Sequence, residues 1–140
     1  MSFEKDGFGR TKLAYAILDH KTQFALQLVK ECPDVNEKDR GGYSYLYFDA
    51  QSCEVEIVDA LLKRGADPNI EAVSGATPLE AVLFASQRYS VEQAYQIVVL
   101  LLAAGADPDD KIDNRINIRR MSKLLAPGKI SDYICAYPEE

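Results

Sequence analysis

Gly9, Gly42 and Gly75 recur at a spacing of 33 residues, twice over. A fixed period of this length is the mark of stacked repeats, because each unit must present the same face to its neighbour. Each glycine opens a similar pattern: Gly9-Arg-Thr11-Lys-Leu13, Gly42-Tyr-Ser44-Tyr-Leu46 and Gly75-Ala-Thr77-Pro78-Leu79. The hydroxyl of Thr11, Ser44 or Thr77 suits a helix N-cap, and Pro78 suits a first helical position. A helix is therefore expected just after each glycine.

A second set of equivalences runs through the later half of each unit: Phe24, Ile57 and Ile97; Ala25, Val58 and Val98; Leu28, Leu61 and Leu101; Val29, Leu62 and Leu102. Within a unit these stand at i, i+1, i+4 and i+5, one face of an α-helix. This second helix is expected to stop at Gly65 and Gly105, where GADPN (65–69) and GADPD (105–109) supply a glycine able to take the left-handed conformation. Cys32-Pro-Asp-Val-Asn36 replaces that stop in the first unit, so its helix should end differently, at Pro33. The last spacing is 40, which puts seven extra residues within 84–94. Ser90-Val-Glu-Gln93 reads as a capping box that restarts the second helix, so the insertion should lengthen the first helix or the loop after it.

A unit of this length, with a capped helix, a return helix, a glycine stop and an extended turn, resembles the ankyrin repeat. The match lies in Gly75-Ala-Thr-Pro-Leu79 and in EIVDALLKRGADPN from Glu56 to Asn69. The resemblance implies an all-α ankyrin-repeat solenoid of about four helix-turn-helix units with short hairpin turns between them. They form one domain, 1–140, divided near 9–35, 36–68, 69–108 and 109–137. The fourth unit has Asn117 near the expected threonine but neither the glycine nor the proline. Arg119, Arg120 and Lys123 fit a terminal repeat with one face to water, and 129–137 fits a closing helix.

The chemistry-bearing residues form no catalytic constellation. His20 is the one histidine, follows Asp19 and falls at the turn after the first helix, where a turn or cap role is expected. A metal site or a Ser-His-Asp or Cys-His arrangement would need more. The acidic run Asp107, Asp109, Asp110 and Asp113 lacks the glycine and final glutamate of a calcium loop. Cys32, Cys53 and Cys135 have neither the even number nor the spacing of a disulfide framework, and reduced thiols near the core are expected. No enzyme activity, cofactor or metal is anticipated. No apolar run approaches the roughly 20 residues that span a bilayer, and the opening MSFEKDGFGR has no apolar core for a secretion signal, so a cytoplasmic location is expected. The net charge of −6 argues against nucleic acid; it either favours a basic protein partner or simply keeps the chain soluble.

The ankyrin resemblance implies protein binding through the concave side built by first helices and hairpin tips. The second unit departs most from the family pattern, reading Ser44-Tyr45-Leu46-Tyr47-Phe48-Asp49-Ala50. Tyr43, Tyr45 and Tyr47 are surplus aromatics that suit either a binding surface or gap filling between repeats. Asp49 stands where the family has alanine, and an ionised carboxylate there must be hydrogen-bonded or open to the groove; the groove is the expectation. Glu80 should face the same way as Tyr47. With Glu37, Asp39, Glu71, Asp110 and Asp113 from the turns, these make an acidic, tyrosine-rich partner-binding face. The expected function is non-catalytic: an inhibitory or immunity-type protein that neutralises a basic toxin or enzyme, the alternative being an adaptor that bridges two proteins. An adaptor would need a second patch, for which Arg88, Tyr89 and Tyr95 beside the insertion are the candidates.

Overall fold

The structure, a computed structural model, describes residues 3–109, 111–112 and 116–138. Among the described residues, eight helices pair into four units: α1 (Lys12–Leu18) with α2 (Thr22–Glu31), α3 (Tyr45–Gln51) with α4 (Val55–Lys63), α5 (Pro78–Ala85) with α6 (Val91–Ala103), and α7 (Ile118–Leu125) with α8 (Lys129–Ala136). First helices stack on first helices, α1 on α3 on α5 on α7, and second on second, α2 on α4 on α6 on α8. This is the expected all-helical, ankyrin-like solenoid. Before α7, a two-residue antiparallel pair, β1 (Lys111–Ile112) with β2 (Ile116–Asn117), forms the last hairpin.

The core lies between the two rows. Ala25, Leu28, Val29, Ile57, Val58, Leu61, Ile97, Val98, Leu101 and Leu102 are all buried, the face that the sequence spacing marks. Leu62 is only partly buried, and Phe24 is 48% exposed, because α2 ends the second row and stacks along α4. Ser44, Thr77 and Asn117 cap their helices by accepting from the amides of Tyr47, Glu80 and Arg120. Thr11 does not cap α1; its hydroxyl is bonded instead to the phenol of Tyr45 at 2.8 Å.

The insertion differs from its expected placement. α5 has 8 residues against 7 in α3, but α6 has 13 against 9 in α4, so most of the extra chain forms a new first turn of the second helix. Ser90 caps that turn through the Gln93 amide, which is why the helix restarts early.

Hairpins carry the 33-residue period in their backbone bonds. Asp6, Asp39 and Ala72 each donate an amide to the carbonyl four residues on, at 2.9, 3.1 and 2.9 Å. Successive hairpins then join edge to edge, Arg40 N–H to Phe8 O at 3.0 Å and Val73 N–H to Gly41 O at 2.8 Å. Gly42 (φ +82°) permits this approach, since a Cβ there would come within 2.9 Å of the Val73 nitrogen.

The GADPN and GADPD stops have a second use. Gly65 (φ +88°) closes α4 with its amide on Leu62 O and the Ala66 amide on Leu61 O. Asp67 then accepts from the Asn69 amide at 2.9 Å, and Asp107 from the Asp109 amide at 2.9 Å, making tight side-chain turns. Asn36 accepts the Asp67 amide (2.7 Å), and Asn69 accepts the Asp107 amide (2.9 Å) while donating to Gly105 O (2.8 Å). The motif is thus a chain of struts from unit to unit. In the first unit, where the glycine is missing, α2 ends at Cys32 as expected, and Arg64 Nη1 reaches back to the Val29 and Cys32 carbonyls at 2.7 Å each. A guanidinium satisfies the helix-end carbonyls there.

All three cysteines are free thiols. Cys32 and Cys53 are buried, and burial pushes the Cys53 thiol up to about 11 and the Cys32 thiol up as well. Cys135 is partly exposed. Since the thiolate is the nucleophile, iodoacetamide at mildly alkaline pH should label Cys135 first and reach Cys32 and Cys53 only in denaturant. Peptide mass mapping reads this, and native labelling of Cys53 at the rate of Cys135 would contradict it.

Candidate functional site

The residues expected on one acidic, aromatic face separate into three groups. Tyr43 and Tyr47 form the accessible pair. Ser44 places Tyr47 on the first turn of α3, and Tyr43 precedes the cap, so their rings meet with centroids 4.6 Å apart. Both are half-buried, and Phe48 supports them from beneath, edge-on to Tyr47 at 6.4 Å and 6.0 Å from Tyr43. Partial burial, then the neighbouring Tyr43 and Glu80, raise the Tyr47 phenol above its ordinary range. Tyr47 therefore keeps its proton and can donate a hydrogen bond. Glu80, half-buried on α5, lies close enough to act on Tyr47, and Glu71 is exposed on the next hairpin.

A second group is consumed within the fold, and the expectation that it faces a partner is corrected. The Asp39 side chain is 4% exposed: Oδ1 accepts the Gly41 and Tyr43 amides at 2.9 and 3.0 Å, and Oδ2 pairs with Arg10 Nε at 3.1 Å. Arg10 in turn lies over the Phe48 ring at 5.2 Å. Glu37 pairs with Lys5 at 2.8 Å and accepts from the Tyr45 phenol at 3.5 Å. Tyr45 is 4% exposed, so it fills the gap between units, and burial drives its phenol well above the ordinary range. The crevice lined by Glu37, Asp39, Tyr43 and Tyr45 holds about 10 Å³, room for roughly one water.

Asp49 is the sharpest correction. It is fully buried and neither carboxylate oxygen has a hydrogen-bond partner, so it does not open into the groove. Burial, and then the nearby Glu54 carboxylate, raise its pKa well above 3.8. The group is held neutral in the folded chain. Asp110 and Asp113 lie outside the described residues.

The suggested second patch does not come together. Tyr89 reaches from the insertion back to the first unit, its hydroxyl 3.1 Å from His20 Nε2, while His20 Nδ1 lies 2.7 Å from Glu54 Oε1. Thr22 donates to the other Glu54 oxygen at 2.8 Å, so one cluster ties units one, two and three. His20 itself adopts φ +57° at the turn after α1, in accord with its expected turn role. Arg88 is exposed beside Tyr89 in sequence. Tyr95 instead turns to the second-helix row, edge-on to Tyr133 at 5.5 Å, with the Lys129 ammonium 4.2 Å from its centroid.

Among the described residues no three His, Cys, Asp or Glu side chains converge as metal ligands. No described helix is long and apolar enough to cross a membrane.

No family model matches the chain. Over 101 residues, 71% of this chain and 5% of the relative, it is 32% identical to BCL-6 corepressor-like protein 1 of Homo sapiens. Over 76 residues, 54% of this chain and 7% of the relative, it is 34% identical to Inversin of Gallus gallus. Both are ankyrin-repeat proteins, which supports reading this chain as ankyrin-like and as a protein–protein interaction module. The chain spans only those small fractions of the two relatives, so the likeness is to a repeat segment.

Proposed function

We propose that this chain is a non-catalytic module that binds one protein partner through the Tyr43–Tyr47 pair and neutralises it, as an immunity-type inhibitor does. The observation that carries the reading is the stacked, half-buried tyrosine pair with Glu80 beside it. Its rings are already held by Phe48, so little rotamer freedom is lost on binding, and the phenols and carboxylates suit a Lys- or Arg-bearing segment. The net charge of −6 would speed the approach of a basic partner.

The test is affinity capture from native extract, followed by titration of the captured partner's activity with the purified chain. Tyr43→Ala with Tyr47→Ala should weaken capture about tenfold or more, and Glu80→Lys should weaken it and lessen its salt dependence. The captured protein should lose activity at one equivalent of chain. Unchanged capture by the tyrosine variant would remove the site, and full activity in the saturated complex would replace inhibition with tethering.

A further inference from the structure

On the opposite side of the slab, a groove of about 580 Å³ runs along the second-helix row between α4, α6 and α8. Its apolar surface comes from Val55 of α4, Tyr95, Val99 and Leu100 of α6, and Tyr133 of α8. Glu56 and Asp59 edge it on the α4 side. The volume is that of a ligand pocket, yet the polar groups are the Glu56 and Asp59 carboxylates and the exposed Gln96 amide at its edges rather than donors and acceptors converging on one molecule. The walls are ridges of neighbouring helices, Val55, Glu56 and Asp59 at i, i+1 and i+4, and Tyr95, Val99 and Leu100 at i, i+4 and i+5. Such a trough accepts the ridge of another helix.

The chemistry of the rim selects the occupant. Glu56 has no ionic partner among the described residues, and Asp59 meets only the largely exposed Lys63 of its own helix, at 2.9 Å. At the far wall, Lys129 already lies over Tyr95 and is paired with Glu92 at 2.7 Å, so the acidic edge left for a partner's cation is the α4 side. We infer that this groove is a second docking site, distinct from the Tyr43–Tyr47 face, for an amphipathic helix of a partner protein whose apolar stripe is flanked by Lys or Arg. With both faces occupied, the chain would join two proteins.

The probe is a short fluorescent amphipathic peptide of leucine and lysine, titrated by anisotropy against a control in which glutamate replaces lysine. Binding of the lysine peptide should weaken about tenfold in Glu56→Lys and in Val99→Asp. It should change by less than about twofold in Glu31→Lys, which carries the same charge change at the exposed end of α2, outside the groove. Glu56 is exposed, so its variant tests the groove even if Val99→Asp perturbs the helix. Amide shifts should fall on α4, α6 and α8, and the Tyr43→Ala/Tyr47→Ala variant should bind the peptide unchanged. Equal weakening by Glu56→Lys and Glu31→Lys, tighter binding of the glutamate peptide, or a homodimer dissociated by Val99→Asp would each overturn the assignment.

Discussion

Replacing Asp49 with alanine should stabilise the fold. The carboxyl is fully buried, has no hydrogen-bond partner and faces the Glu54 charge, so folding must leave it protonated. Removing an unsatisfied buried polar group returns about 1–3 kcal/mol, offset in part by the small volume lost. For a chain of this size that is a rise of about 4 °C in melting midpoint per kcal/mol. The gain must depend on pH. A carboxyl whose folded pKa lies above 3.8 binds its proton more tightly in the folded state, so wild type is favoured below 3.8 and loses that advantage as pH rises toward the folded value. The difference between Asp49→Ala and wild type should therefore grow from pH 4 to pH 7, whereas Asp49→Asn, polar but without a titrating proton, should lack this slope. Urea unfolding at both pH values measures it. A destabilised alanine variant, or a gain equal at both pH values, would remove the account.

The location of Asp49 was readable in the sequence, though by a different route from the cost of burying charge. Ala16 and Val82 stand 33 residues to either side, and both are buried. A column with apolar residues above and below belongs to the core, and the stacking constraint overrode the desolvation cost of one carboxyl. The same comparison explains Asp39. Asp6 stands 33 residues earlier and accepts the Phe8 and Arg10 amides as Asp39 accepts those of Gly41 and Tyr43. Recurrence of an aspartate at one hairpin position marks a turn-former before it marks a ligand contact. Helix number, second-helix face and glycine stops were legible because stacking repeats them unit by unit. The Tyr89–His20 contact was not, since it joins residues 69 apart through an insertion that has no counterpart in the other units. Nor was the separation of Tyr89 from Tyr95, because a new turn of α6 carries them to different sides. Of the expected binding residues, Tyr43, Tyr47, Glu71 and Glu80 keep accessible surface, as does Glu37, which is already paired with Lys5 and the Tyr45 phenol.

Arg119→Ala should produce a large loss of stability, confined at first to one end of the solenoid. Its guanidinium grips both Asp109 oxygens, Nε to Oδ1 at 2.6 Å and Nη2 to Oδ2 at 3.2 Å. Nη1 donates to the carbonyls of Ile134 (2.8 Å), Cys135 (3.3 Å) and Tyr137 (2.7 Å) at the end of α8. One side chain thus joins the GADPD turn, the start of α7 and the C-terminus of the closing helix. The two turn motifs differ in their last letter for a reason: Asn69 bonds the backbone of the next turn, and Asp109 binds a cation instead. Charge-assisted bonds contribute about 1.5–3 kcal/mol each, but they share one partly exposed donor and do not add, so a loss of about 3 kcal/mol is expected. Lysine supplies one ammonium where a planar fork is needed, so Arg119→Lys should recover little. Because solenoid stability is a sum over neighbouring units, the amides of α7 and α8 should lose hydrogen-exchange protection first, while α3 and α5 keep theirs. Binding through Tyr43 and Tyr47 should then survive in the same variant. Uniform loss of protection along the chain, or a penalty below about 0.5 kcal/mol, would mean that α8 is held by its apolar face of Ile130 and Ile134 and not by the guanidinium.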